Sequence, residues 1–513
     1  MLEHKKLFKS AGTVSFFTLL SRILGFVRDV IIARMFGTGA AVQAFVVAFR
    51  IPNTLRHLVG EGAANAAVIP VLSEYLDKKD NKEFWRVTNL LLSTVVIILA
   101  AIALLGTILA PLLVRIIAFG FVNDPVKMEL TIRLTRIMFS FIFLIGLSAY
   151  LMGILNTLKH FAAPAAASCF LNITMIVFGL YLCRYFHDPI IGMSIAVLIG
   201  GFLQLIVQIP VLIKKGFRFR FGFDFHHPAI KKIGNLLLPR MLGSSIYQLN
   251  VFVDTMFASL GQIVGEGAIA ALYYSNRLIQ FPTALFGSAL ATACLPTLSQ
   301  QAIANDMDGL KKTIEVSLRS LLVLLIPSSI GLLMLSEPIV RLLFQRGEFD
   351  AVSTQMTSFA LAFYCIGLFA YSGARVITSC FYALKDTVTP VKITFLCLLI
   401  NVIFNFLLMR LLQVGGLALA TSISSIANFF ILIFLLRKKI GNLGLVALIA
   451  NTLKTFFISL AMGAFCLWSY SLSSATLNNG LSLLISIIGG IIIFFLMGWY
   501  FKIFKGIVFN FKS

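Results

Sequence analysis

The chain has 513 residues, 59% of them hydrophobic and only 12% charged, with a mean hydropathy of +0.97. Soluble domains carry about 25% charged residues, so this composition excludes a soluble enzyme and requires a polytopic membrane protein. The net charge of +22, from 42 basic and 20 acidic residues, sits beside apolar spans, which points to anionic lipid headgroups and not to nucleic acid.

His4, Lys5, Lys6 and Lys9 precede an apolar segment that is too long for a signal sequence and lacks a small-residue cleavage site. It reads as a retained first span. Apolar stretches of about 20 residues, broken by charged or turn-forming loops, give about fourteen helices. They fall near 10–35, 40–76, 87–118, 130–157, 163–186, 190–213, 230–260, 268–302, 312–336, 352–383, 389–412, 416–436, 445–470 and 480–503. No stretch alternates like a barrel strand, so the fold class is an all-α polytopic membrane protein. Cys169, Cys183, Cys294, Cys365, Cys380, Cys397 and Cys466 are scattered singly, as expected of buried thiols and not of a metal site or disulfide framework.

One set of connections is basic: the N-terminus, Lys78 to Arg86, Lys159, Lys214 to Lys232, Lys311, Lys312, Lys385, Arg437 to Lys439 and the tail lysines. The other set has little beyond Lys127, Arg184, Arg346 and Arg410. The positive-inside rule then places both termini in the cytoplasm.

The chain also repeats itself. LNTLKHFAAP (155–164) and FYALKDTVTP (381–390) lie 226 positions apart, and the same offset relates Arg115 to Arg341 and Pro70 to Pro296. Pro52 meets Pro282 at an offset of 230, so the first copy carries four additional residues, about one helical turn. The expected organisation is a six-helix half over 1–214, a basic cytoplasmic linker over 215–228, a second six-helix half over 229–438, and two added helices over 439–513. Six spans per copy give both halves one orientation and a pseudo-two-fold axis along the membrane normal.

Charges inside the spans carry the functional argument, because a central Arg costs about 2.5 to 3.5 kcal/mol on insertion scales. Arg22, Gly25 and Asp29 share one face of the first helix, with Arg28 about 100° away from Asp29. The second span adds Arg50 and Arg56 on either side of Pro52, then Glu61. The second copy offers Asn276 and Arg277 ahead of Pro282, and Arg375 in the tenth span. Asp29, Glu61 and Asp254 are too few to neutralise these arginines. Prolines at 52, 111, 164, 239, 282, 296 and 327 kink spans, which suits a carrier that alternates its access. A guanidinium excess in the membrane suits a phosphorylated substrate, since the planar fork of Arg matches phosphate in a bidentate manner.

SRILGFVRD (21–29), AFVVAFRIPNTLRHLVGEGAANAAVIPVLSEY (44–75) and YYSNRLIQFPTALFGSALATACLPTLS (273–299) together resemble the MurJ (MviN) family of lipid II flippases, within the multidrug/oligosaccharidyl-lipid/polysaccharide exporter superfamily. The resemblance covers essentially the whole chain. It implies a bacterial inner-membrane flippase that carries undecaprenyl-diphosphate-linked peptidoglycan precursor to the periplasmic leaflet for cell wall synthesis. It implies that Arg22, Arg28, Arg56 and Arg277 bind the diphosphate headgroup, with Gly25, Asp29, Arg50, Pro52, Glu61, Asn276, Pro282 and Arg375 supporting or gating. The last two helices would form a groove for the polyprenyl tail. Lipid II and membrane lipids are the implied partners, with cell wall synthesis or division proteins beside them. No cofactor or catalytic residue is implied. Coupling to the membrane potential or to a monovalent cation is, with Asp254 and Asp386 as the ion-site candidates. The chain departs from the family at Gln43, where an acidic residue is usual, and at Gln280, where some relatives carry Glu.

Rival readings are an exporter of another polyprenyl-linked glycan or of drugs, and a membrane glycosyltransferase. Drug exporters of cations call for acidic cavities, whereas this chain's span charges are mainly basic. A transferase calls for a general base or an acidic metal pair on one face, but the histidines lie in loops except His57, and paired carboxylates on one face are absent.

Overall fold

The computed structural model describes residues 2–56, 62–77, 80–224 and 226–504, and every regular element among them is helical. The chain divides into two compact units, Met1–Ser259 and Leu260–Ser513. The first holds α1 (Leu2–Phe36), α2 (Ala40–Arg56), α3 (Gly62–Asp77), α4 (Asn81–Ile117), α5 (Pro125–Thr157), α6 (Ala162–Val177), α7 (Pro189–Ile206), α8 (Ile209–Lys214) and α9 (Pro228–Ala258). The second holds α10 (Gly261–Val264), α11 (Ala268–Pro282), α12 (Ala289–Ile303), α13 (Met307–Met334), α14 (Ser336–Phe344), α15 (Ala351–Ala383), α16 (Val388–Ile440), α17 (Leu445–Ser473) and α18 (Asn479–Tyr500).

In the first unit α5 is the central post, packed against α2, α3, α4 and α7, while α1 lies along α6. Helix α9 packs on α3 and α4, so this unit ends after Ser259, beyond the point where the sequence repeat divides the chain. In the second unit α15 plays the same part, against α11, α12, α13, α14 and α16, and α17 joins α13 to α18.

The two posts start and stop in register. Each spans 33 residues, and each begins on an aspartate cap: Asp124 accepts from the Lys127 amide at 3.0 Å and Asp350 from the Ser353 amide at 2.8 Å. Each ends in a left-handed lysine, Lys159 at φ 55° and Lys385 at φ 58°. The flanking amides of Leu158 and Leu384 reach back to Ile154 and Cys380. Asp80 before α4 and Asp306 before α13 repeat the capping at the same separation of 226 positions. Capping satisfies amide donors that the helix itself leaves open, so these four aspartates fix where the spans begin.

Ten helices among the described residues are long and apolar enough to cross a membrane. One of them, α16, has 53 residues and is broken at Gln413, whose φ of 49° is non-helical, so it covers two of the expected spans. The remaining expected spans fall on α1, on α2 with α3, and on α9. These are helices too: α1 carries Arg22, Arg28 and Asp29, α2 carries Arg50 and Arg56, and α9 carries Asp254.

The added helices α17 and α18 meet through small residues. Ser482, Ser486 and Gly490 form a buried stripe at four-residue spacing, and Ser486 touches Ser469 Oγ at 3.4 Å while its carbonyl accepts from Cys466 Sγ at 3.3 Å. Close backbone approach through such residues is how helices associate without a hydrophobic drive in lipid. The opposite face of α18, with Leu484, Ile488, Ile491 and Leu496, is exposed.

Candidate functional site

Helix α1 brings its charges to α6. Asp29 is 0% exposed and Arg28 is 6% exposed, and the guanidinium bonds Asp29 Oδ1 through Nε at 3.0 Å and NH2 at 2.8 Å. Its NH1 donates to Asn172 Oδ1 at 2.9 Å, and the Asn172 amide donates back to the Ser21 carbonyl at 3.0 Å. The helical angle between positions 28 and 29 therefore does not keep them apart, because the arginine side chain is long enough to fold back around the helix. Gly25 faces Asn172, with room for a Cβ at 3.7 Å. Arg22 is exposed on the same helix. Asn172 was not indicated by the sequence, since nothing local to it marks a partner 144 positions away.

Helix α2 turns its polar side to α9. Arg50 donates to Thr255 Oγ1, beside the half-buried Asp254. Thr54 Oγ1 lies 3.3 Å from Gln248 Oε1. Arg56, half-buried at the end of the helix, donates to Asn53 Oδ1 at 3.0 Å. Pro52 is buried inside α2 between the two arginines. Gln43 is also buried, and its amide donates to the Thr38 carbonyl at 3.2 Å. A carboxylate there could not make that bond. Glu61 lies outside the described residues.

In the second unit the polar set lies on α11 and α15. Half-buried Arg277 donates to Gln280 Oε1 at 3.2 Å, and Gln280 Nε2 donates to Asn276 Oδ1 at 2.7 Å. Gln280 thus accepts from one neighbour and donates to the other, which a glutamate could not do in this arrangement. Pro282 ends α11, and the chain continues through a π-helical turn, Thr283–Ser288, into α12. Such turns accommodate a proline within a continuing helix. Arg375 on α15 pins this turn: NH1 donates to Ser288 Oγ at 2.7 Å, NH2 to Tyr371 OH at 2.7 Å, and the guanidinium lies 4.6 Å from the Tyr371 ring centre. Gly287 in the turn abuts Ser372, where a Cβ would come within 2.6 Å of Oγ.

Asp386 sits in the turn between α15 and α16. Its carboxylate accepts from Lys439 Nζ at 2.6 Å and from the Thr389 amide and hydroxyl at 3.0 and 2.9 Å. The Lys439 bond, reinforced by Thr389, holds its pKa down to about 2. A carboxylate so occupied is a helix cap and ion-pair partner here. Among the described residues no group of three or more His, Cys, Asp or Glu side chains is placed to hold a metal, and all seven cysteines are buried.

Ten membrane-length helices among the described residues, guanidinium groups held by short polar networks on α1, α2, α11 and α15, and a proline and π-turn in the helix carrying Arg277 fit a multi-pass membrane transporter. The chain belongs to the lipid II flippase MurJ family, whose model, described as "Lipid II flippase MurJ", matches residues 32–488. It is 35% identical over 83% of each chain to a probable lipid II flippase MurJ of Buchnera aphidicola. It is 34% identical over 84% of each chain to the lipid II flippase MurJ of Burkholderia cenocepacia. Its structure is similar to a solved lipid II flippase MurJ in the inward closed conformation, with a TM-score of 0.79 at 29% identity, covering 95% of this chain and 98% of the other. An inward-facing multidrug resistance transporter of the MATE family shares the fold, with a TM-score of 0.70 at 15% identity over 82% and 95% of the chains.

Proposed function

We propose that this protein moves lipid II, the undecaprenyl-diphosphate-linked peptidoglycan precursor, from the cytoplasmic to the periplasmic leaflet of a bacterial inner membrane by alternating access. In this reading fourteen helices cross the membrane, two six-span halves repeat one another, and both termini are cytoplasmic. The matched caps and left-handed lysines of α5 and α15 support the repeat.

The observation that carries the reading is the set of guanidinium groups on helices of a chain of this family: Arg22 and Arg28 on α1, Arg56 at the end of α2, and Arg277 on α11. Arg22, Arg56 and Arg277 meet the diphosphate and its sugar. Arg28 reaches a phosphate only by exchanging Asp29 for it, so Asp29 acts as a stand-in anion while the substrate is away. Charge-assisted, bidentate bonds to phosphate are strong enough to compete with such a pair. Arg50 and Arg375 hold α2 against α9 and the π-turn against α15, and so place the binding arginines. Two phosphates moving outward across an inside-negative membrane are driven by about 2.3 kcal/mol per charge per 100 mV, so the potential favours loaded transport. Asp254, beside Thr255 on α9, is the remaining candidate for a coupled cation.

The test is reconstitution of the full chain in liposomes with headgroup-labelled lipid II and, separately, a different polyprenyl-diphosphate glycan. Externally quenchable label is followed with and without an imposed potential. Transport of lipid II accelerated by the potential supports the proposal. Transport of the other glycan alone leaves the family and refutes the substrate.

A further inference from the structure

After Lys214, the last residue of α8, the chain runs KGFRFRFGFD over residues 215–224 without helix. Gly216, at φ 95°, turns it out of α8, and it then lies along α4. The side chain of Asn89 grips it like a neighbouring strand: Nδ2 donates to the Arg218 carbonyl at 3.1 Å, and Oδ1 accepts the Arg220 amide at 2.9 Å. One turn on, Ser93 Oγ accepts the Gly222 amide at 3.2 Å. Asn89 and Ser93 lie about 12 and 18 Å along α4 from its first residue at 1.5 Å per residue. Backbone that leaves a helix needs other hydrogen-bond partners, and these two side chains supply them for the Arg218 carbonyl and the Arg220 and Gly222 amides.

The phenylalanines occupy every second position and share a face, since the ring centres of Phe217 and Phe219 are 6.5 Å apart and those of Phe221 and Phe223 are 6.3 Å apart. Phe219, Phe221 and Phe223 are 53%, 66% and 47% exposed. The arm ends beside Ser93, one turn before Ile97 and Ile98, where α4 begins to show apolar side chains outward. At its other end Phe217 packs 5.6 Å from Trp85, a residue type that favours the headgroup level of a bilayer. Lys214, Lys215, Arg218 and Arg220 are all exposed.

We infer that residues 214–223 form a lipid-binding arm: Phe219, Phe221 and Phe223 enter the acyl chains, and Lys214, Lys215, Arg218 and Arg220 take the phosphates of anionic glycerophospholipids. Charge complementarity selects this occupant, because each basic residue near an anionic lipid surface gains about fivefold in affinity. The inference does not depend on what the protein transports.

The test uses the full chain with Phe221→Cys labelled by a bimane fluorophore; the native cysteines are buried and spared. The protein is reconstituted in phosphatidylcholine vesicles containing either nitroxide-acyl phosphatidylglycerol or nitroxide-acyl phosphatidylcholine at equal fraction. Phosphatidylglycerol is expected to quench more strongly, and Arg218→Gln with Arg220→Gln to lower its relative affinity about 25-fold, two cations at about fivefold each. A Phe219→Cys reporter repeats the reading if the first labelled protein misfolds. Equal quenching by both lipids overturns the phosphate assignment. Quenching by aqueous iodide and by neither lipid overturns insertion, and emission restored by unlabelled lipid II but not by phosphatidylglycerol makes the arm a substrate dock instead.

Discussion

Two ion pairs of similar length serve opposite ends in this molecule. Arg28 and Asp29 meet at 2.8 Å with side chains 8% and 0% exposed, whereas Lys439 and Asp386 meet at 2.6 Å with side chains 42% and 18% exposed. The first is buried where α1 meets α6, where the medium screens little and an uncompensated charge is costly. The second closes a turn between spans, where water and salt share the charges. Distance alone therefore says little about energy. Burial decides which pair the fold cannot spare and which one merely trims a turn.

Removing one partner should separate the two most sharply. Arg28→Ala takes the guanidinium from a fully buried carboxylate and is expected to cost about 3 to 5 kcal/mol, with Arg28→Met plus Asp29→Leu recovering much of the loss. Thermal melts of the purified protein check this, and a double variant no more stable than the single one would break the comparison. Next in size, Asn172→Ala removes an acceptor from Arg28 and a donor from the Ser21 carbonyl. A loss of about 1.5 to 3 kcal/mol is expected, as for hydrogen bonds to charged groups, and it should be largely absent when Arg28 is already alanine.

The turn pair should behave differently. Asp386→Asn is expected to cost about 1 kcal/mol or less at neutral pH, the scale of a cap or an exposed pair. Because the folded pKa is depressed to about 2, below the ordinary aspartate value of about 3.9, the stabilisation is complete above that ordinary value and is lost as pH falls through 2. The gap between wild-type and variant melting temperatures should close over that window. A gap that persists unchanged at pH 2 would show that the carboxylate charge is not what stabilises the turn.

Smallest of all, Lys159→Gly and Lys385→Gly relieve left-handed backbone and are each expected to stabilise by about 0.5 kcal/mol, the relief being offset by glycine's greater freedom when unfolded. The two effects should match, since the two lysines share nearly the same left-handed φ.

Much of this was legible in the sequence. Hydropathy showed the all-α membrane fold, and the paired LK turns at 155–164 and 381–390 fall where α5 and α15 end in the left-handed Lys159 and Lys385. Motifs around Arg22, Arg56 and Arg277 carried the family. What escaped were contacts made across the fold. Arg28 was placed by helical angle, but its side chain outreaches that angle, and its second partner comes from another helix. Asp386 drew notice as a scarce acid. Thr389 three positions on was the local signal of a cap, and Lys439 could be paired with it only once α16 folded back. The grip of Asn89 on the arm at 218–220 had no sequence mark for the same reason.

The central claim is that the span arginines handle the diphosphate. It is tested most directly by the lipid II flipping rate of Arg56→Gln and Arg277→Gln beside wild type in liposomes, with melting temperatures measured in parallel. Each loses a charge-assisted contact of about 1.5 to 3 kcal/mol, so the account expects the rate to fall about 10- to 150-fold with stability kept. Wild-type rates from both stable variants would contradict it.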